Sequence, residues 1–213
     1  MSRMIFYCYD AYCGWCYGFS EVIKKIADEF LSSCEIEVLN GGMVLPEKPT
    51  HISATAAYIA KAYKNVEELT GVKFGKDYLW HIFNPEESDW YPNSEKPAIA
   101  HCIFKEYYPL RAVEIATDIQ MALCFEGRDL TDDESYRHLV EKYSIHPEVF
   151  FEKLYSEEYK ESAYYEFNLV KQLKVNGFPC VFIQTGELKF HMVSKGYTDY
   201  TTLNERIKTV LNT

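Results

Sequence analysis

Met4-Ile5-Phe6-Tyr7-Cys8-Tyr9-Asp10-Ala11-Tyr12-Cys13-Gly14-Trp15-Cys16-Tyr17-Gly18-Phe19 changes character part-way along. Up to Tyr9 it is a short apolar and aromatic run, the composition of a buried strand. From Phe19 onward, Val22, Ile23, Ile26, Ala27 and Phe30 follow at helical spacing, with Lys24, Lys25, Asp28 and Glu29 on the other side. Cys13 and Cys16 therefore fall where a strand hands over to a helix.

That position favours sulfur chemistry. The first backbone N–H groups of a helix lack partners, and together with the helix dipole they stabilise a thiolate. In such motifs the first cysteine's pKa falls from about 8.5 into a range of roughly 3.5 to 7.5. Cys13 is the candidate nucleophile, and Cys16, one turn further in and more shielded, is the candidate resolving thiol. Gly14 and Trp15 lie between them, and Trp15 reads as a surface aromatic flanking the site. A zinc centre needs four ligands, and the chain has no second CxxC and no HxxxH to supply them. The six histidines show no metal spacing, so no metal is expected.

Further along, Glu35-Ile36-Glu37-Val38-Leu39 alternates charge with aliphatic residues and stops at Asn40-Gly41-Gly42, which predicts a second strand and a βαβ opening. Residues 50–165 carry helical periodicity instead, at His51 to Tyr63, Ala98 to Tyr108, Leu110 to Phe125, Asp132 to Tyr143 and Pro147 to Leu154. Thr131-Asp132-Asp133-Glu134 reads as an N-cap with acidic residues in the first turn, and Pro147 as a first helical position. Beyond Glu166, a helix through Leu169, Val170 and Leu173 leads to two strands about a turn at Thr185-Gly186-Glu187. A closing helix spans Tyr200 to Leu211. The expected fold is α/β, βαβ then αββα, with residues 1–49 and 166–213 forming one unit and 50–165 a helical insertion.

Phe178-Pro179 opens the third strand, where proline is tolerated only at an edge or a first position. A trans proline starting a strand is the plain reading. Beside an upstream CxxC, a cis proline that turns the backbone toward Cys13 and pairs with an extended substrate is the stronger one. Tyr78-Leu79-Trp80-His81-Ile82-Phe83 with Trp90-Tyr91 reads first as packing of the insertion and second as the lining of a groove.

The net charge of −10 disfavours nucleic acid, which needs a positive footprint. No apolar run reaches the roughly 18 residues of a spanning helix, and residues 1–10 lack an export signal, so a cytoplasmic protein without membrane association is expected. The other five of the seven cysteines, Cys8, Cys34, Cys102, Cys124 and Cys180, lie among apolar neighbours as core thiols do in a reducing compartment.

With these residues in hand, the chain resembles the DsbA-like thiol oxidoreductases, in particular the cytoplasmic branch of predicted protein-disulfide isomerases. Asp10-Ala11-Tyr12-Cys13-Gly14-Trp15-Cys16-Tyr17-Gly18-Phe19 is similar to that branch's Asp-x-x-Cys-x-Trp-Cys-x-Gly-Phe signature, with Gly41-Gly42 following the second strand. Glu126-Gly127-Arg128-Asp129-Leu130-Thr131-Asp132 and Val175-Asn176-Gly177-Phe178-Pro179 are similar to two further segments. The resemblance implies a thioredoxin fold with an all-helical insertion, and catalysis by a redox-active Cys13–Cys16 disulfide. Gly14, Trp15, Phe178 and Pro179 would position a disulfide-containing protein or small-thiol substrate, and a redox partner, glutathione among the candidates, would supply electrons. One departure is Cys180, where the family usually has Thr, a third thiol that would either be silent or modulate turnover by trapping Cys13 in a non-productive disulfide. Reduction potentials of such pairs span about −270 to −120 mV, so the motif sets the chemistry and not its direction. In a glutathione-poised cytosol, reduction or isomerisation is expected. Two other readings are a glutathione-dependent transferase or isomerase of the kappa type, which needs no resolving thiol, and a non-catalytic redox-sensing or binding module.

Overall fold

The computed structural model describes residues 3–45 and 50–212. The apolar run Met4–Tyr9 is strand β1, and helix α1 follows at Gly14–Phe30. Strand β2, Glu35–Asn40, lies parallel to β1 with Tyr7 opposite Val38. Strand β3, Cys180–Gly186, runs antiparallel to β1 on its other side, and β4, Lys189–Lys195, forms the edge, giving the order β2-β1-β3-β4. Side chains alternate across this sheet. Tyr7, Tyr9, Val181 and Ile183 face α1 and the last helix, α9 (Tyr200–Leu211), in one core, while Cys8, Leu39, Cys180 and Phe182 face the opposite way.

Between β2 and β3 run α2 (Ser53–Thr70), α3 (Lys76–Phe83), α4 (Glu95–Tyr107), α5 (Ala112–Cys124), α6 (Arg137–Lys142), α7 (Pro147–Leu154) and α8 (Glu157–Gln172). Helix α2 runs beyond the expected Tyr63 and ends at Gly71, whose φ of 82° is the left-handed stop that glycine supplies without strain. Pro147 occupies the first turn of α7, as its fixed φ allows. The acidic segment caps a short 3-10 turn, Asp133–Tyr136, and the cap is Asp132, whose Oδ1 accepts the Glu134 N–H at 3.1 Å. The expected boundary between residues 165 and 166 falls inside α8, whose buried side carries Tyr159, Ala163, Phe167 and Val170 without a break.

The helical part has its own large core, built on residues such as Ile103, Phe104, Ile119, Leu130, Tyr136 and Phe150. It is joined to the sheet by an ion-pair network centred on the largely buried Lys105 and Glu166. Lys105 Nζ on α4 donates to Glu166 Oε1 on α8 at 2.5 Å, to Glu37 Oε1 at 2.9 Å and to the Val38 carbonyl at 2.8 Å. Glu166 Oε2 accepts the backbone and side-chain N–H groups of Asn40 at the end of β2. Among the described residues no helix is long and apolar enough to cross a membrane.

Candidate active site

The strand-to-helix junction places Cys13 as the N-cap of α1. Its φ of −85° and ψ of 104° are extended, and its Sγ accepts the Cys16 N–H at 3.2 Å. A cap of this kind is ordinarily a Ser, Thr or Asp oxygen. Here the sulfur fills the role, so the donor that satisfies the helix end also bonds to Cys13, and such a bond strengthens when the acceptor carries charge. Both cysteines are free thiols. Cys16 is fully buried, and burial followed by its contact with Cys13 pushes its pKa well up, opposed by the Asp10 main-chain N–H. Tyr7 stands beside them on β1, its ionisation pushed up by burial and then by the charges of Cys16 and Cys13.

The loop between β1 and α1 is fixed by Asp10, which is 2% exposed. Its Oδ1 accepts the Tyr12 N–H and the Ser94 hydroxyl, both at 3.0 Å, and its Oδ2 accepts the Met43 N–H at 2.7 Å. Burial raises the Asp10 pKa, and these donors pull it back. Gln120 on α5 donates to the carbonyls of Asp10 at 3.1 Å and Cys13 at 3.4 Å. The Gly41-Gly42 turn admits the proline loop: a Cβ at Gly41 would stand 2.2 Å from the Phe178 ring, and Gly42 has a φ of 63°. The Phe178–Pro179 bond is cis.

Cys13, only 6% exposed, opens onto a cavity of about 430 Å³, a size suited to a small ligand or a single side chain. Gly14 and Trp15 line it on one side and Asn176, Gly177 and Phe178 on another, so the CxxC and proline loops meet across it. Pro179 is buried behind this wall, its carbonyl accepting the Gly196 N–H at 2.7 Å. The rest of the lining is largely apolar, and helix α2 supplies a stripe of it with Thr55, Ile59, Ala62, Tyr63 and Val66. Tyr78 and Trp90 from the aromatic stretch serve both as core residues and as cavity wall.

Two expectations change. Trp15 is half-buried and packs against both main cores, because the helical part closes over the loop that would otherwise be exposed. Cys180 does not join Cys13. Alternation along β3 turns it to the opposite face of the sheet, where it packs with Cys8, Leu39, Val170 and Phe182, so it is not placed to trap Cys13. Sequence reasoning missed Asp10, Gln120 and the α2 stripe as parts of the site. The spacing 55, 59, 62, 66 was visible as a helix face, but nothing local says that it faces Cys13. Among the described residues no group of three or more His, Cys, Asp or Glu is placed to hold a metal ion.

The family model of the DSBA-like thioredoxin domain matches residues 4–208. No curated protein matches the chain. Among solved structures, the chain is similar to a Nitrosomonas europaea protein provisionally assigned as a protein disulfide isomerase, with a TM-score of 0.84 and 21% identity over 100% of this chain and 98% of that one. It is similar also to the cytosolic disulfide reductase DsbM from Pseudomonas aeruginosa, with a TM-score of 0.76 and 22% identity over 98% of each chain. The structure of DsbM with glutathione (GSH) matches with a TM-score of 0.75 and 22% identity, over 99% of this chain and 100% of that one. At this identity these likenesses establish the shared fold.

Proposed function

Because the chain belongs to the DSBA-like thioredoxin-domain family, a family of thiol–disulfide oxidoreductases, we propose that it is a disulfide reductase or isomerase in which Cys13 attacks and Cys16 resolves. The observation that carries this reading is the seating of Cys13 as the sulfur N-cap of α1 on the wall of the cavity, with Cys16 buried one turn behind it.

The Cys13 thiolate attacks one sulfur of a substrate disulfide presented from the cavity. An S–S bond forms to Cys13, the substrate S–S bond breaks, and the departing sulfur takes a proton. The Cys16 thiol loses its proton and attacks Cys13 Sγ, forming the Cys13–Cys16 disulfide and releasing the second substrate thiol. Two electrons pass from the dithiol to the substrate, and a reductant restores the pair. Glutathione, held by the related DsbM structure, is the reductant we assign, with the cytoplasm as the compartment. Gly14, Trp15 and Phe178 shape the substrate site, and Pro179 holds the Phe178 wall in place from behind.

The test equilibrates the protein with graded reduced and oxidised glutathione, quenches in acid, alkylates free thiols and maps peptides by mass. A reversible Cys13–Cys16 disulfide is expected, lost in Cys13→Ser and Cys16→Ser, with a persistent mixed disulfide on Cys13 in the second variant. The small-ligand size of the cavity is the observation that favours the kappa-type glutathione reading. A wild-type protein that forms no Cys13–Cys16 disulfide and accumulates only a Cys13–glutathione adduct would replace dithiol exchange with that chemistry.

A further inference from the structure

Cys8 and Cys180 are directly opposite each other in the antiparallel β1–β3 pair, and theirs is the last rung of that ladder. Opposed residues in such a pair have Cα atoms about 4.5 or 5.5 Å apart, depending on the hydrogen-bonding of the rung. Both values fall within the roughly 4.4 to 6.8 Å that disulfides span. The two side chains share one face of the sheet and pack with Leu39, Val170 and Phe182, a cluster that contains no other cysteine. Both are free thiols, Cys8 fully buried and Cys180 nearly so. Cys13 and Cys16 lie on the other face.

We propose that Cys8 and Cys180 form a second dithiol–disulfide pair, independent of the active site and oxidised by low-molecular-weight disulfides to a cross-strand bond. The thiolate of one cysteine attacks oxidised glutathione, forming a protein–glutathione mixed disulfide and releasing one reduced glutathione. The partner cysteine loses its proton and attacks the protein sulfur of that mixed disulfide. The Cys8–Cys180 bond forms and a second reduced glutathione leaves, so two electrons and two protons pass from the dithiol to the oxidant. No other cysteine of that cluster competes for the resolving step. Burial, and then the nearby Cys180, push the Cys8 thiol up, and burial does the same for Cys180. The resting pair is therefore a dithiol of low reactivity, and its exchange proceeds through opening of the terminal rung. The bond would tie the strand that enters the Cys13 loop to the residue that follows Pro179.

The experiment uses the full chain carrying Cys13→Ser and Cys16→Ser, brought to equilibrium with graded glutathione buffers both from the native reduced state and by refolding from urea in the same buffers. Thiols alkylated after denaturation are then mapped by peptide mass. One two-electron transition is expected, in which the Cys8 and Cys180 peptides lose their label together and reappear as a linked pair. Adding Cys180→Thr should abolish it. The same peptides are mapped in the wild-type protein, so the answer does not depend on the variants folding. If Cys8 and Cys180 stay fully labelled at the most oxidising ratio, or if Cys180 is recovered linked to any cysteine but Cys8, the second pair does not exist, whatever Cys13 and Cys16 do.

Discussion

Asp10 sits three residues before Cys13, and every contact it makes asks its side chain to accept. The Met43 N–H is 2.7 Å from Oδ2, and the Tyr12 N–H and Ser94 hydroxyl reach Oδ1. A buried carboxylate with that set of donors holds three chain segments together: the CxxC loop, the Gly41-Gly42 turn and the start of α4. Asp10→Asn keeps the shape but turns an amide NH2 toward the Met43 N–H or toward Ser94 and Tyr12. An unmatched buried donor costs about 1–3 kcal/mol. The variant should therefore be less stable than the wild type by that amount in a urea titration, and exchange with a disulfide substrate more slowly because the loop carrying Cys13 is loosened. An unchanged midpoint together with an unchanged rate would show that the carboxylate does not fix the loop. At this scale Cys13 and Cys16 were legible because a two-residue spacing at a change of period is a local signal. Asp10 lay in the same quoted segment, but its role depends on Met43 and Ser94, which no local spacing connects to it.

The elements themselves were legible wherever a face repeats. Strand β1 and helices α7 and α9 begin and end where the apolar pattern does. Helix α3 was not assigned, since at eight residues it is little more than two turns and six of its residues are aromatic, aliphatic or His, leaving no polar face to set its period. The first half of α8 was missed because Glu157, Glu158, Lys160, Glu161 and Ser162 outnumber the buried Tyr159 and Ala163. Least legible was the bond between elements. Asn40 and Glu166 meet across 126 positions, and His101, in the midst of an apolar helix face, proves to be a fully buried neutral base. Burial and the Lys105 charge push its pKa down to about 3, while its Nε2 lies 3.0 Å from the Ala112 carbonyl. For Glu166, burial opposes ionisation, but the Lys105 charge and the Asn40 N–H together bring its pKa below the ordinary carboxylate value. A carboxylate depressed in the folded state contributes stability that is complete above its unfolded pKa of about 4.3, and that fades as pH falls through the lower folded value. Glu166→Gln should therefore cost about 3 kcal/mol at neutral pH, the lower end for breaking a buried pair because Lys105 keeps Glu37 and the Val38 carbonyl. The variant should also lose stability less steeply than the wild type below about pH 4.3. Urea titrations at neutral and acid pH measure both. Parallel pH profiles for variant and wild type would remove Glu166 from the account.

For the whole molecule, the packing repeatedly crosses the division between a sheet unit at residues 1–49 and 166–213 and a helical insertion at 50–165, a division whose 165/166 boundary already falls inside α8. Ala11 and Tyr17, from the β1–α1 segment, belong to the helical core. Ala112, Val113 and Ala116 of α5 belong to the sheet core, and Trp15 packs against both. Asp10 bonds to Ser94, Gln120 to the Cys13 carbonyl and Lys105 to Glu37. Separating the two parts would expose apolar surface on each and leave these polar groups unpaired, so neither part has a stable state that the other does not share. Unfolding should then be a single event. Trp15, Trp80 and Trp90 all lie at the junction or within the helical part, so tryptophan fluorescence follows that side of the molecule. Amide hydrogen exchange in peptides covering β1 and β3 follows the sheet. In a urea titration of the reduced protein the two should give the same midpoint. Loss of fluorescence change at lower urea than loss of protection in β1 and β3 would mean that the helical part opens by itself, uncovering Cys13 while the sheet stays intact. Access to the thiol would then be set by that opening and not by the cavity.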